Sequence, residues 1–174
     1  NACLDPLRIS KAYAITRDAG IIAGLELARK IFNAHNPRIK FTTELNDGAR
    51  VQPGNVLFEV EGPQTDLLTA ERVVLNSMQR MSGIATLTHQ VQSMIAHTNC
   101  KVLDTRKTTP NFRIPEKWAV EIGGGVNHRM GLYDMILIKD NHIDYCGSVD
   151  SAIKISLEYL SKNSLDIPIV VETR

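Results

Sequence analysis

Apolar and polar positions alternate over Ile39, Phe41, Thr43 and Leu45, with Lys40, Thr42 and Glu44 between them, and alternate again over Val56, Phe58 and Val60. A period of two marks a half-buried strand. Ile9 to Ile15 reads as a further strand. Asn46-Asp47-Gly48 and Gln52-Pro53-Gly54-Asn55 read as turns, and Glu61-Gly62-Pro63 ends the sheet, so this part predicts an antiparallel meander. One helix interrupts it. Ile21, Leu25, Ala28 and Phe32 fall near one face of the stretch Ile21 to Asn33, between a turn at Arg17-Asp18-Ala19-Gly20 and a stop at Asn36-Pro37.

From about Thr65 to Ala96 the spacing lengthens. Val74, Met78, Met81 and Ala85 lie at i, i+4, i+7 and i+11, and Ile84, Leu87, Val91 and Met94 repeat a similar spacing. The pattern predicts two core-facing helices broken at Ser82-Gly83. Glu71 and Arg72 sit in the opening part of the first, where the helix dipole favours the acid and not the arginine, which singles out Arg72. Further on, Val102-Leu103, Met135 to Ile138 and Ile167 to Val171 are short apolar runs. Each leads into polar residues, Asp104-Thr105-Arg106-Lys107, Lys139-Asp140-Asn141-His142 and Glu172-Thr173-Arg174. Strands that deliver polar residues at their carboxyl ends build the sites of α/β barrels and open α/β sheets. Before the last run, Ser148 caps a helix with Asp150 in its first turn and Val149, Ala152, Ile153, Ser156, Leu157 and Leu160 on one face. The order predicts successive βα units. Three strands cannot close a barrel, so the chain is expected to be the front part of a longer one. The change of pattern divides it into residues 1–99 and 100–174.

Composition narrows the class. At 174 residues, 43% hydrophobic and 22% charged, the chain can bury one substantial core or two small ones. No apolar run reaches the roughly 18 residues of a membrane span, and the opening NACLDPLRIS lacks the features of a secretory signal, which predicts a cytoplasmic location and no membrane partner. Cys3, Cys100 and Cys146 are far apart and include no Cys-x-x-Cys pair, against a disulfide framework or structural zinc. A net charge of +1 and 5% aromatic content argue against a nucleic-acid partner, which needs basic stripes and stacking platforms.

Charge is nonetheless concentrated. Between Lys101 and Lys139 stand seven cations (Lys101, Arg106, Lys107, Arg113, Lys117, Arg129, Lys139) against four acids (Asp104, Glu116, Glu121, Asp134). Gly123-Gly124-Gly125 lies among them, and glycines let backbone approach a ligand closely. Arginine forks and mobile lysines suit carboxylates and phosphates, so the stretch reads as an anion site, with a solvated basic face as the alternative. Singly, His128 could be structural, Asp104 could pair with Arg106, and Asp140-Asn141-His142 could cap the following helix.

Five motifs taken in order resemble one family. Glu71-Arg72-Val73-Val74-Leu75-Asn76, Met81 to Thr86, Asp104-Thr105-Arg106-Lys107-Thr108, Gly123 to Leu132 and Leu137-Ile138-Lys139-Asp140-Asn141-His142 are similar to segments of quinolinate phosphoribosyltransferases, over roughly Ala19 to Arg174. The opening NACLDPL departs from that family's usual lead-in, and Asn111-Phe112-Arg113 replaces its usual glycine before the arginine. The resemblance implies an α+β fold in which an open β-sandwich with helices precedes an α/β barrel, incomplete in this chain. It implies transfer of the phosphoribosyl group of phosphoribosyl pyrophosphate to quinolinate, with magnesium (Mg2+) accompanying the diphosphate, to give nicotinate mononucleotide, carbon dioxide and pyrophosphate. It also implies a homodimer or higher homo-oligomer.

By the same resemblance, Arg72, Thr105, Arg106, Lys107, His128, Arg129 and Lys139 match substrate-binding positions, Arg72 being lent across the dimer to the neighbouring site. Lys107, Lys139 and Glu172 are the catalytic candidates, and no residue is assigned as a metal ligand. The chemistry calls for such groups: two carboxylates on one substrate and three phosphorus centres on the other need several cations. Arg106 and Arg129 suit the quinolinate carboxylates, His128 the ring substituents, and Lys107 and Lys139 carboxylate or phosphate oxygens. Glu172 suits stabilisation of oxocarbenium character at the ribosyl carbon. Rival readings are a related type II phosphoribosyltransferase for another carboxylated ring, and a non-catalytic anion-binding relative.

Overall fold

The structure is a computed structural model that describes residues 4–5 and 8–172; Cys3, Thr173 and Arg174, which entered the sequence reading, lie outside the described residues. Helices and strands mix in two compact units, Asn1–Asn127 and His128–Arg174.

In the first unit, strand β1 (Ile9–Ile15) pairs antiparallel with β5 (Val56–Pro63), and β3 (Lys40–Thr42) pairs with the other edge of β5, so the sheet order is β1-β5-β3. The expected meander is replaced because β5, whose Phe58 and Val60 are buried, takes the central place. Phe32, Phe41 and Phe58 pack on its inner side, with Phe41 stacked on Phe58 at 4.8 Å between centroids. The alternation at Phe58 and Val60 thus translates directly into core contacts.

The first helix, α1 (Leu25–His35), starts four residues later than its periodicity suggests. Gly24 stands at φ 100°, a left-handed conformation that interrupts a helix, and the Asp47 carboxylate accepts hydrogen bonds from the amides of Leu25 at 2.9 Å and Glu26 at 3.3 Å. Ile21 enters the core from a two-residue strand, β2 (Gly20–Ile21), paired with β4 (Arg50–Val51).

The expected pair of helices between Thr65 and Ala96 is one helix, α2 (Gln64–Met94). The predicted break does not form, because Ser82 and Thr86 turn their hydroxyls towards β2 and the residues after it and tie the helix there. Ala23 N donates to Ser82 Oγ at 3.0 Å and Ile21 N to Thr86 Oγ1 at 2.9 Å, while Gly83 stays helical and open to solvent. Val74, Met78, Met81 and Ala85 are all buried, as their spacing predicts. Of the second stripe only Ile84 packs against the core, half-buried; Leu87, Val91 and Met94 are exposed, because in an unbroken helix the buried face continues through Ala85 and Thr88. Arg72 is the ninth residue of α2, beyond the first turn over which the dipole acts, so that argument for singling it out lapses. A third helix, α3 (Arg113–Ile122), packs Ala119 with Met81, Ala85, Ile21 and Ala23.

In the second unit, β6 (Ile136–Ile138) and β7 (Ile169–Val171) pair in parallel, Ile138 opposite Val171, with α4 (Asp140–Cys146) and α5 (Val149–Asn163) between them in sequence. Ser148 caps α5 as expected, accepting from Ser151 N at 3.1 Å. Ala152 is the buried residue of its inner face, whereas Leu157, five residues on and so about 140° round the helix, is exposed. No helix among the described residues is long and apolar enough to cross a membrane.

Candidate functional site

The segment after Val102-Leu103 begins where two backbones meet. Leu103 bridges Val126 in parallel and Val126 N donates to Val102 O at 2.8 Å, so the expected strand contracts to a single bridge. The glycine run serves this packing. A Cβ on Gly123 would lie 2.5 Å from Ala85 O, and one on Gly125 2.7 Å from Val120 Cγ1, 2.9 Å from Thr88 Cγ2 and 3.0 Å from Val102 O. The close approach read from the sequence is thus made to α2, α3 and the backbone at Val102; of the three glycines only Gly124, at φ 90°, uses positive φ.

Asp104, at the head of the candidate segment, is paired with Lys117, which is fully buried. Thr105 Oγ1 accepts from Lys107 N at 3.1 Å and Arg106 O from Thr108 N at 2.9 Å, a tight local turn. Thr105 and Lys107 are exposed. Arg106 is half-buried, and its Nε is buried with no hydrogen-bond partner among the described residues. A buried guanidinium N–H is costly unless an acceptor meets it, so Arg106 Nε has room for one more acceptor.

A cavity of about 230 Å3 opens beside this turn, lined by Thr105, Lys107, Asp104, Lys117, Glu116 and Arg80 among others. The last three are not among the sequence candidates. Glu116, 6% exposed, accepts from Thr109 N at 3.1 Å, Thr109 Oγ1 at 2.7 Å and Arg80 Nε at 2.8 Å. Burial by itself pushes the Glu116 carboxyl up, but the bonds from Thr109 and the Arg80 guanidinium outweigh it and hold the carboxyl below the ordinary glutamate value. One sequence signal was available: Glu116 stands three and four residues before Ala119 and Val120, on the buried face of α3. Arg72, by contrast, projects from α2 with its side chain 81% exposed and Glu71 at 3.9 Å.

In the second unit the chain after Arg129 is bound to one acid. Met130 N and Gly131 N donate to the Asp134 carboxylate at 2.6 and 2.8 Å. His128 and Arg129 immediately precede this turn and are half-buried. Lys139 and Glu172 follow directly on β6 and β7. The parallel register, extended by Glu172 N donating to Ile138 O at 2.9 Å, brings Lys139 Nζ to 2.7 Å from Glu172 Oε2. Both side chains remain partly exposed, 41% and 57%, and so reachable by a ligand. His142 Nδ1 accepts from Lys139 N at 2.9 Å, so this part of Asp140-Asn141-His142 opens α4.

Two family models match the chain: the quinolinate phosphoribosyl transferase N-terminal domain over residues 3–82 and the C-terminal domain over residues 84–174. Among relatives, a mitochondrial quinolinate phosphoribosyltransferase [decarboxylating] 2b of Nicotiana tabacum is 50% identical over 165 residues, 95% of this chain and 46% of its own length. A probable nicotinate-nucleotide pyrophosphorylase [carboxylating] of Bacillus subtilis is 41% identical, covering 94% of this chain and 56% of its own. The crystal structure of NadC from Streptococcus pyogenes superposes with a TM-score of 0.90 at 38% identity, over 99% of this chain and 61% of that one. The chain thus spans about half the length of the curated relatives it matches.

Proposed function

The chain belongs to the quinolinate phosphoribosyl transferase family, and from that premise we propose that the protein it forms part of transfers the phosphoribosyl group of phosphoribosyl pyrophosphate to quinolinate. The products are nicotinate mononucleotide, carbon dioxide and pyrophosphate, a step of de novo NAD biosynthesis. The observation that carries the reading is the Lys139–Glu172 pair at 2.7 Å on the adjacent carboxyl ends of two parallel strands. That is where α/β folds hold their chemistry. In the same reading the β1-β5-β3 layer with its helices is the open β-sandwich, and β6 and β7 are early strands of an α/β barrel.

Arg106 and Arg129 grip the two quinolinate carboxylates, Arg106 completing its buried Nε with one of them. Thr105 and His128 orient the ring by hydrogen bonds, and Lys107 and Lys139 take carboxylate or phosphate oxygens. The pyridine nitrogen attacks the ribosyl carbon as the bond to pyrophosphate breaks, and the Glu172 carboxylate stabilises the positive charge that develops there. The 2-carboxylate departs as carbon dioxide and leaves its electron pair on the ring carbon, where the adjacent nitrogen, now cationic, stabilises it electrostatically until that pair takes up a proton. Magnesium, when bound with phosphoribosyl pyrophosphate, would supply charge neutralisation at the departing pyrophosphate beside Lys107 and Lys139.

A homodimer or higher homo-oligomer in which exposed Arg72 serves the neighbouring site belongs to this proposal, as does a cytoplasmic location. The tobacco relative is named as mitochondrial, so cell fractionation is the check on compartment. The reaction is tested by pyrophosphate release from the full-length protein with quinolinate or nicotinate as acceptor. Release with quinolinate and not nicotinate is the expected result. Release with nicotinate alone would assign a one-carboxylate substrate, and quinolinate binding without release would make this a non-catalytic anion site.

A further inference from the structure

The segment 104–109 carries Thr105, Arg106 and Lys107, and each of its ends is held by a buried charge from the same turn of α3. At the front, the Lys117 ammonium is paired with Asp104 Oδ1, its side chain only 1% exposed. At the back, Glu116 accepts from the Thr109 amide at 3.1 Å and the Thr109 hydroxyl at 2.7 Å, and the Arg80 guanidinium, at 2.8 Å from Glu116, also reaches Thr109 Oγ1 at 3.3 Å. Burying two adjacent charges is a costly way to attach a loop to a helix, since apolar packing would serve for stability alone. Charged hydrogen bonds add direction, because each fixes a particular atom. Both clamps are also neutral pairs, Lys117 with Asp104 and Arg80 with Glu116, so neither quenches the positive charge of Arg106 and Lys107.

We propose that Glu116 and Lys117 are positioning residues that clamp the two ends of the 104–109 turn and so aim Thr105, Arg106 and Lys107 at the anionic substrate, with Arg80 acting through Glu116. The role rests on the functional reading above, in which those three residues bind quinolinate and phosphoribosyl pyrophosphate. None of the clamping groups touches substrate in it.

The test uses the full-length protein with Glu116→Gln, Thr109→Val and Lys117→Met. In folded Glu116→Gln the KM for quinolinate rises on the order of 10- to 100-fold, the scale expected for binding groups displaced by an ångström or less, and Thr109→Val shows a smaller rise. A role in stability alone would reduce the fraction of active enzyme, lowering apparent kcat while leaving KM in place. Hydrogen exchange supplies a readout independent of turnover: the Thr109 amide loses protection in Glu116→Gln while the amides of α2 keep theirs. If Lys117→Met does not fold, the other two variants decide. Wild-type KM in folded Glu116→Gln and Thr109→Val overturns the proposal, and so does wild-type exchange at Thr109 in Glu116→Gln. Absence of turnover in the wild type would instead count against the functional reading, leaving the clamp to be judged by exchange.

Discussion

Glu116 shows how one residue couples fold to pH. Its carboxyl is held below the ordinary glutamate value of 4.5, so its contribution to stability is complete above that pH and is lost as pH falls through the lower folded value. Glu116→Gln therefore costs about 1–3 kcal/mol at neutral pH, the usual range for hydrogen bonds to a buried charged group. The gap between variant and wild type narrows below about pH 4.5, because protonation then removes the same charge from the wild type. Urea unfolding at pH 7 and pH 3.5 measures both; a gap that stays constant would mean that Glu116 is not ionised in the folded state. Lys117 was legible as a cation but not as a buried one. Composition counts charges, and nothing in the count distinguishes a lysine paired under a loop from one in solvent.

At the scale of elements, the periodic signals succeed where a single face decides burial. Phe58 and Val60 of β5 and the stripe Val74, Met78, Met81 and Ala85 are buried as their spacing demands, while Val56, at the start of β5, is exposed. They fail where a local breaker is overridden. Gly83 reads as a helix end, yet tertiary hydrogen bonds from Ser82 and Thr86 to the β2 region carry α2 through it. A methyl on Gly83 meets nothing within 4 Å, so Gly83→Ala stabilises the chain by about 0.5–1 kcal/mol, the helix-propensity difference. Gly123 lies at the opposite extreme, where a Cβ would press on backbone at Ala85 O, 2.5 Å away. Gly123→Ala is expected to cost on the order of 1–3 kcal/mol, as overpacking does. Thermal melts of the two variants should move in opposite directions, and a loss of stability in Gly83→Ala would restore the break.

At the scale of the whole molecule, the parallel pairing of β6 with β7 that brings Lys139 to Glu172 was legible as a repeated order of apolar run and polar end. Their contact was not, because register depends on backbone pairing across more than thirty residues of intervening chain. Oligomerisation leaves an even weaker trace in sequence, since an arginine serving a neighbour and one in solvent are both exposed. Exposed Arg72 gives a sharp prediction: Arg72→Ala and Arg106→Ala chains, each deficient alone, recover part of the activity when mixed into hybrid dimers, where one site keeps both arginines. Dimers shown to be mixed but without recovery would place Arg72 outside the neighbouring site.

The central claim is the coupling of phosphoribosyl transfer to decarboxylation. Its most direct measurement is release of labelled carbon dioxide from quinolinate labelled in the 2-carboxylate, using the full-length protein with phosphoribosyl pyrophosphate and magnesium, each also omitted in turn. Release that requires quinolinate, phosphoribosyl pyrophosphate and magnesium together, and that falls by at least about 100-fold in Lys139→Ala, is the predicted result, on the scale of losing one charge-stabilising group. A folded full-length protein that binds quinolinate but releases no label under any of these conditions would contradict the account and leave the cation-rich segments as an anion-binding site without chemistry.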